Sequence, residues 1–276
     1  MSRTWEKAEK VVQNLKKIGP HMVALSGGVD SSVLTALAKQ AYGSETTAAT
    51  FASPLTPSRD LEDAVRLCEL LDVGHIVVWV DELEEVPGFR HNPPDRCYLC
   101  KRFRFRKLLD VASELGFNGV LDGSTLSDLR EDRPGMRALE ELGVVSPLLQ
   151  AGLTKPEVRA IAGRMGLPNS RKPPSACLAT RVPYGRELSH DLLRRIDEAE
   201  NTIRSLVDVG VLRVRVHGEH ARIEVSRDDM AKILEVGPQI ASELKKLGFR
   251  FVSLDLEGYR FGSWPKPQND NHTLFS

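Results

Sequence analysis

Residues 21–39, HMVALSGGVDSSVLTALAK, decide how the chain is to be read. An apolar run ends at Leu25, two glycines follow at 27 and 28, and a helical pattern starts near Ser31. Gly27 and Gly28 can take backbone angles closed to other residues, so a ligand can approach the main chain in the turn. The amides there point outward at a helix N-terminus, where unpaired N–H groups and the positive end of the helix dipole attract phosphate. Ser26, Ser31 and Ser32 offer hydroxyls to the same group, and Asp30 suits a Mg2+ ion accompanying the phosphates. The stretch lacks the lysine of G-x-x-x-x-G-K-[ST] and the third glycine of G-x-G-x-x-G, which excludes the Walker and dinucleotide readings.

Outward from this turn, short apolar runs alternate with helical patterns: HMVALS, a helix from Ser31, TTAATFA, a helix from about Pro57, HIVVWVD, a helix from about Tyr98, then GVLDGS. The alternation predicts an α/β fold, a doubly wound parallel sheet covered by helices. Thr56-Pro57 reads as a cap followed by proline at the first helical position, and Thr154-x-x-Glu157 as a capping box. Pro168 and the three prolines of NSRKPPSACLATRVPYGRELSH interrupt the periodicity before a new amphipathic helix begins near Ser189. The boundary is therefore expected at residues 184/185, with 1–184 forming the nucleotide domain and 185–276 a second, smaller α/β domain. In the latter the pattern predicts a helix to about Val209, strands at VLRVRVH and ARIEV, helices over 227–234 and 238–247, and a strand at FRFVSLDL. The tail GSWPKPQNDNHTLFS is polar, carries two prolines and is expected to be loosely held.

Composition narrows the class. A chain of 276 residues, 41% hydrophobic, has material for a sizeable core. Lys plus Arg and Asp plus Glu are both 38, a balance that argues against gripping long nucleic acid by bulk charge. No apolar stretch approaches the roughly 18 residues a bilayer crossing needs, and MSRTWEKAEKVVQNLKK has an amphipathic helical pattern rather than that of a signal peptide. A cytoplasmic protein with no membrane partner is expected. Its four cysteines are then candidates for metal or redox chemistry rather than disulfides.

Cys97 and Cys100 form C-x-x-C at a predicted helix start, and Cys177 follows 77 residues after Cys100. A redox pair needs no third cysteine, and a structural zinc site usually wants a fourth ligand, such as His91. Three thiolates suit a 4Fe–4S cluster with one iron left open. Cluster, zinc and redox readings all stand at this point. Cys68 sits inside a helical pattern and is expected to fill the core. KRFRFRK, residues 101–107, either binds RNA or a nucleotide phosphate or forms the solvated face of a helix whose buried stripe is Leu99, Phe103, Leu108, Ala112 and Leu115. LDGSTLSDLREDRPGMRA gathers Asp122, Ser124, Asp128, Glu131, Asp132 and Arg133 where ligands bind in such sheets, a charged surface loop being the competing account. Arg213 and Arg215 alternate with valines and so share one strand face suited to a phosphate or carboxylate. Glu200 and Glu224, on a helix and a strand of the small domain, read as surface charge by default. His190, His217 and His220 read as cap, turn or surface residues.

S-G-G-x-D-S resembles the PP-loop of the ATP pyrophosphatase superfamily, which implies ATP cleaved between its α and β phosphates and AMP passed to an acceptor. With DLREDRPG, PLLQAGLTKPEVRAIAGRMGLP, SACLATRVPYG and VRVHGEHARIE, nearly the whole chain resembles the LarE family of ATP-dependent sulfur transferases. The resemblance implies adenylation of a carboxylate of pyridinium-3,5-dicarboxylate mononucleotide, a small-molecule nucleotide substrate, and replacement of its oxygen by sulfur in nickel-pincer nucleotide synthesis. It implies ATP and Mg2+ on Ser26, Gly27, Gly28, Asp30 and Ser31. It also implies a phosphate grip by Arg213 and Arg215 and an acidic metal site at Glu200 and Glu224. Cys97 and Cys100 set this chain apart from the branch in which a lone cysteine at the position of Cys177 surrenders its own sulfur. They resemble the three-cysteine branch, in which a 4Fe–4S cluster carries the sulfur and Cys177 is a catalytic ligand. A homo-oligomer is suggested, a hexamer among the forms it could take. The rival functions are a cluster-dependent tRNA thiolase and a non-enzymatic nucleotide-binding regulator with structural zinc.

Overall fold

A computed structural model describes residues 3–130 and 134–260. The chain divides into two units, Met1–Val86 with Cys97–Cys177, and Pro87–Arg96 with Leu178–Ser276. The division falls after Cys177 rather than at 184/185, and the ten residues Pro87–Arg96 join the second unit. Side-chain and main-chain bonds explain why they do. The buried Asn92 amide donates to the carbonyls of Val182 and Pro183 at 3.1 and 2.9 Å. Arg96 donates to Asn92 at 2.7 Å and stacks on Tyr184, and Leu188 N–H donates to the Arg90 carbonyl. The expected tail lies outside the described residues.

The first unit contains α1 (Arg3–Ile18), β1 (Met22–Ala24), α2 (Val29–Tyr42), β2 (Thr47–Ala52), α3 (Ser58–Leu71), β3 (Gly74–Trp79) and α4 (Glu82–Glu85). It continues with α5 (Arg96–Glu114), β4 (Val120–Leu121), α6 (Pro134–Glu141), α7 (Pro147–Gln150) and α8 (Lys155–Arg164). The strands form a parallel sheet in the order β3-β2-β1-β4, and a parallel bridge from Leu121 to Val145 extends it beyond β4. Neighbouring side chains on a strand point to opposite faces, so one sheet feeds two cores. Val23, Ala48 and Leu121 pack with α1, α2, α3 and α8, while Met22, Ala49 and Val120 pack with α5 and α6. Both faces being covered, the strands read as nearly continuous apolar runs.

Local signals hold with two adjustments. The Glu157 carboxylate reaches back to the Thr154 N–H and hydroxyl, as a capping box requires. At α3, however, Pro57 itself stands at the cap, and the Thr56 hydroxyl donates to the Phe51 carbonyl instead. On α5 the buried stripe is Phe105, Leu108 and Ala112, whereas Leu115 is exposed.

In the second unit α9 (His190–Leu206) starts at Ser189, whose hydroxyl accepts the Leu192 N–H. β5 (Leu212–His217) and β6 (His220–Val225) are antiparallel, and β7 (Phe251–Leu254) runs parallel to β6. The helices α10 (Met230–Glu235) and α11 (Gly237–Lys246) lie between them in sequence. No helix among the described residues is long and apolar enough to cross a membrane.

Candidate active site

The glycine turn follows β1 and opens α2, the position its sequence predicted. Gly27 is left-handed, with φ +71°, and a Cβ built on it would lie 2.2 Å from the Asp60 carbonyl oxygen. Backbone angle and crowding therefore both demand glycine. The turn is braced internally. Ser31 Oγ accepts from Ser26 N–H and donates to the Gly28 carbonyl, both at 3.1 Å. Ser32 Oγ donates to the same carbonyl at 2.9 Å and is fully buried. Ser26 is exposed and Asp30 half-buried in the first turn of α2, where a phosphate-bound cation would meet it.

Four residues that the sequence did not single out hold this loop from below. Asn169 donates to Ser32 Oγ at 2.7 Å and to the Gly27 carbonyl at 3.3 Å. Lys172 donates to the Gly27 carbonyl at 3.1 Å and bridges Asp60 and Asp63 at 2.8 and 2.5 Å. Ser175 donates to the other oxygen of Asp60 at 2.6 Å. The segment leading to Cys177 is thus bonded to the loop by Asn169 and Lys172, and to Asp60 beside it by Lys172 and Ser175, within seven residues. The fourth residue, Gly123, follows β4, and a Cβ there would press to 2.9 Å from the Ser31 nitrogen. Beside it Asp122 accepts from Ser124 N–H at 2.8 Å and pairs with Lys101 at 3.5 Å. Asp128 accepts from Thr125 and pairs with Lys155 at 3.0 Å, while Glu131, Asp132 and Arg133 lie outside the described residues.

All three candidate thiols belong to the first unit and none is in a disulfide. His91 belongs to the second. Cys100 donates to Glu82 Oε1 at 3.7 Å. Burial pushes the Cys100 thiol up to about 12; Arg104 opposes the shift, and Glu82, Cys177 and Cys97 add to it. Cys97 and Cys177 are therefore close enough for Cys100 to feel their charge. Cys68 is buried in α3 and pushed up to about 11 by burial, as a core thiol. Within KRFRFRK the basic residues divide. Arg102 and Arg106 are exposed, but Arg104, expected on a solvated face, turns inward to Glu82, Ser53 and Thr56. A helix face four residues wide explains this, since Cys100 and Arg104 stand at i and i+4.

Arg213 and Arg215 share a face of β5 as expected, and both are buried. Arg215 donates to Glu224 at 3.0 Å and to the Thr180 carbonyl. Glu200 and Glu224 are not surface charge. Arg181 grips Glu200 through two bonds of 2.8 and 3.0 Å, Val214 N–H adds a third at 3.0 Å, and Arg222 reaches Glu224 at 3.0 Å. A metal at these carboxylates would have to displace guanidinium groups. Burial first, then the Arg181 cation, lower the pKa of Arg213. Four arginines, 181, 213, 215 and 222, thus gather around two glutamates, with Arg222 shared with Asp255, and the surplus positive charge suits an anion. A separate cavity of about 570 Å³ at the carboxyl ends of β2 and β3 is lined by Ser53, Thr56 and the exposed Trp79.

A parallel sheet carrying a phosphate-cradling glycine turn at the end of its first strand defines a nucleotide-using enzyme of the PP-loop class. The family model for asparagine synthase matches residues 8–92. The NMN synthetase of Francisella tularensis shares the fold, with a TM-score of 0.52 and 22% identity, over 63% of this chain and 76% of that one. An uncharacterized protein of Synechocystis, slr1717, is 36% identical, covering 93% of this chain and 96% of its own length. The pyridinium-3,5-bisthiocarboxylic acid mononucleotide synthase of Lactiplantibacillus plantarum is 35% identical, covering 93% of this chain and 92% of its own length. The chain belongs to the LarE family and is an ATP-dependent sulfurtransferase.

Proposed function

We propose that the chain adenylates a carboxylate of pyridinium-3,5-dicarboxylate mononucleotide and replaces the activated oxygen with sulfur, on the way to a nickel-pincer nucleotide. The observation that carries this reading is the position of Cys177 at the end of a segment bonded to the PP-loop through Asn169 and Lys172 and to the neighbouring Asp60 through Ser175. A carboxylate is a poor electrophile because its leaving group would be oxide; attack of one carboxylate oxygen on the ATP α-phosphorus releases pyrophosphate and makes AMP the leaving group. In this account the amides of Gly27, Gly28 and the α2 N-terminus hold the departing pyrophosphate, with Ser26 adding a hydroxyl. Asp30 would hold the Mg2+ that neutralises the phosphates. Arg213 and Arg215 take the phosphate of the mononucleotide substrate.

Cys97, Cys100 and Cys177 would hold a 4Fe–4S cluster. Cys100, which feels the charge of both Cys97 and Cys177, and its two neighbours stand outside any disulfide, and three such thiols would fit one iron each. When bound, such a cluster would supply sulfide as the nucleophile toward the acyl adenylate, with AMP as the leaving group, and Cys97, Cys100 and Cys177 would act as its ligands only. The test is anaerobic turnover with ATP, Mg2+, sulfide and the pyridinium mononucleotide. Pyrophosphate and thiocarboxylate should form together, many per chain. Thiocarboxylate limited to one per chain, or pyrophosphate formed with tRNA in place of the mononucleotide, would contradict the reading.

A further inference from the structure

Glu82 is wholly buried at the start of α4, directly after β3. Among the described residues its Oε1 accepts from Arg104 Nε and from the Cys100 thiol, and its buried Oε2 takes no hydrogen bond. Arg104 is itself well covered, its side chain 17% exposed. Its guanidinium donates to Ser53 Oγ at 2.7 Å and Thr56 Oγ1 at 3.4 Å and lies 5.3 Å from the centre of the Phe51 ring. The start of α4, the loop after β2 and β2 itself thus hold one cation in a fixed place. That cation is coupled electrostatically to Cys100 and Cys177, members of the thiol set from two distant parts of the chain.

A buried ion pair is costly to desolvate, and a hydrophobic pair of the same volume often serves stability as well. A guanidinium held rigidly beside thiols is a fixed positive charge in a medium of low dielectric, where it acts strongly on any change in charge nearby. We propose that the Glu82–Arg104 pair is a charge-setting device for the thiol site, in which Arg104 stabilises added negative charge on the group that Cys97, Cys100 and Cys177 hold, and Glu82 fixes and attenuates that effect. Arg104 and Glu82 are positioning residues, acting on the site through Cys100 and Cys177. The inference rests on the cluster reading and goes beyond it, because it assigns these two side chains the control of the centre's reduction potential. Charge and hydrogen bonding around cluster sulfurs are established levers on that potential.

Gain of one electron adds one negative charge to the centre, so removing the nearby cation makes reduction harder and removing the nearby anion makes it easier. The experiment is anaerobic reconstitution of the full chain with iron and sulfide, followed by a redox titration read by electron paramagnetic resonance. R104Q should shift the midpoint to more negative potential and E82Q to more positive, with R104K close to the native value. A purely structural role would move neither, or both in one direction. Midpoints unchanged in iron-loaded R104Q and E82Q, or displaced the same way, overturn the inference while leaving the cluster intact. Should R104Q load poorly, E82Q decides alone: a positive displacement supports the device, and no displacement refutes it. A native chain that takes up no iron overturns the cluster reading and the inference together.

Discussion

In the first unit the Cys100 thiol meets one buried carboxylate, Glu82, whose partner Arg104 is coupled to Cys100 and Cys177; in the second, Arg181, Arg213, Arg215 and Arg222 gather around Glu200 and Glu224. The second set is largely self-satisfying: its carboxylates take two to three donors each, and only a surplus positive charge is left for a ligand. The first set is not. Burial pushes the Cys100 thiol up to about 12, and a metal binding there would take the place of its proton. Charge balance distinguishes an arginine-rich site suited to an anion from a thiol site suited to a metal.

The contrast breaks most sharply at Cys177. C177A should lose sulfur transfer entirely, well beyond the roughly 10–100-fold cost of an outer-shell change, while pyrophosphate release persists; loss of both activities would place Cys177 in the adenylation step instead. Next in size is R181M, which strands the Glu200 carboxylate in the interior and should cost about 3–5 kcal/mol of stability, read by denaturant unfolding. R181M/E200Q should recover much of that loss, and failure to do so would mean that the pair is more than self-neutralising. G27A must place a Cβ against the Asp60 carbonyl at a left-handed φ, at a cost of about 1–3 kcal/mol, and should weaken ATP binding while iron uptake is unchanged.

The smallest effect concerns acid. Glu157 is held down to about 2: burial works against this, and hydrogen bonds from Lys7 and Thr154 outweigh it. Its folded pKa lies below its unfolded one, so its contribution is full above about pH 4.5 and is lost as pH falls toward 2. E157Q should remove about 1–2 kcal/mol at neutral pH and flatten stability across that acid window. An unchanged acid profile would show that the Lys7–Glu157 bridge between α1 and α8 contributes nothing.

How legible these sites were follows from the range of the forces that build them. The PP-loop was readable because glycine, serine and aspartate act within seven consecutive residues, and the parallel sheet because its runs are apolar on both faces. The capping box at Thr154 was readable for the same local reason. The inward turn of Arg104 was not: nothing in KRFRFRK tells which basic residue faces Glu82, a partner 22 residues away. Asn169 and Lys172 were equally silent, since their partners stand 142 and 145 residues earlier, though their polar run just before Cys177 was a signal. Glu200 and Glu224 looked like surface charge because helix and strand patterns do not say which arginines lie opposite.

The most direct measurement is iron and sulfide content of the anaerobically reconstituted chain, paired with its intact mass after turnover. The account predicts about four irons per chain and an unchanged polypeptide mass. A chain without iron, or one that has lost the Cys177 sulfur after a single cycle, would contradict it.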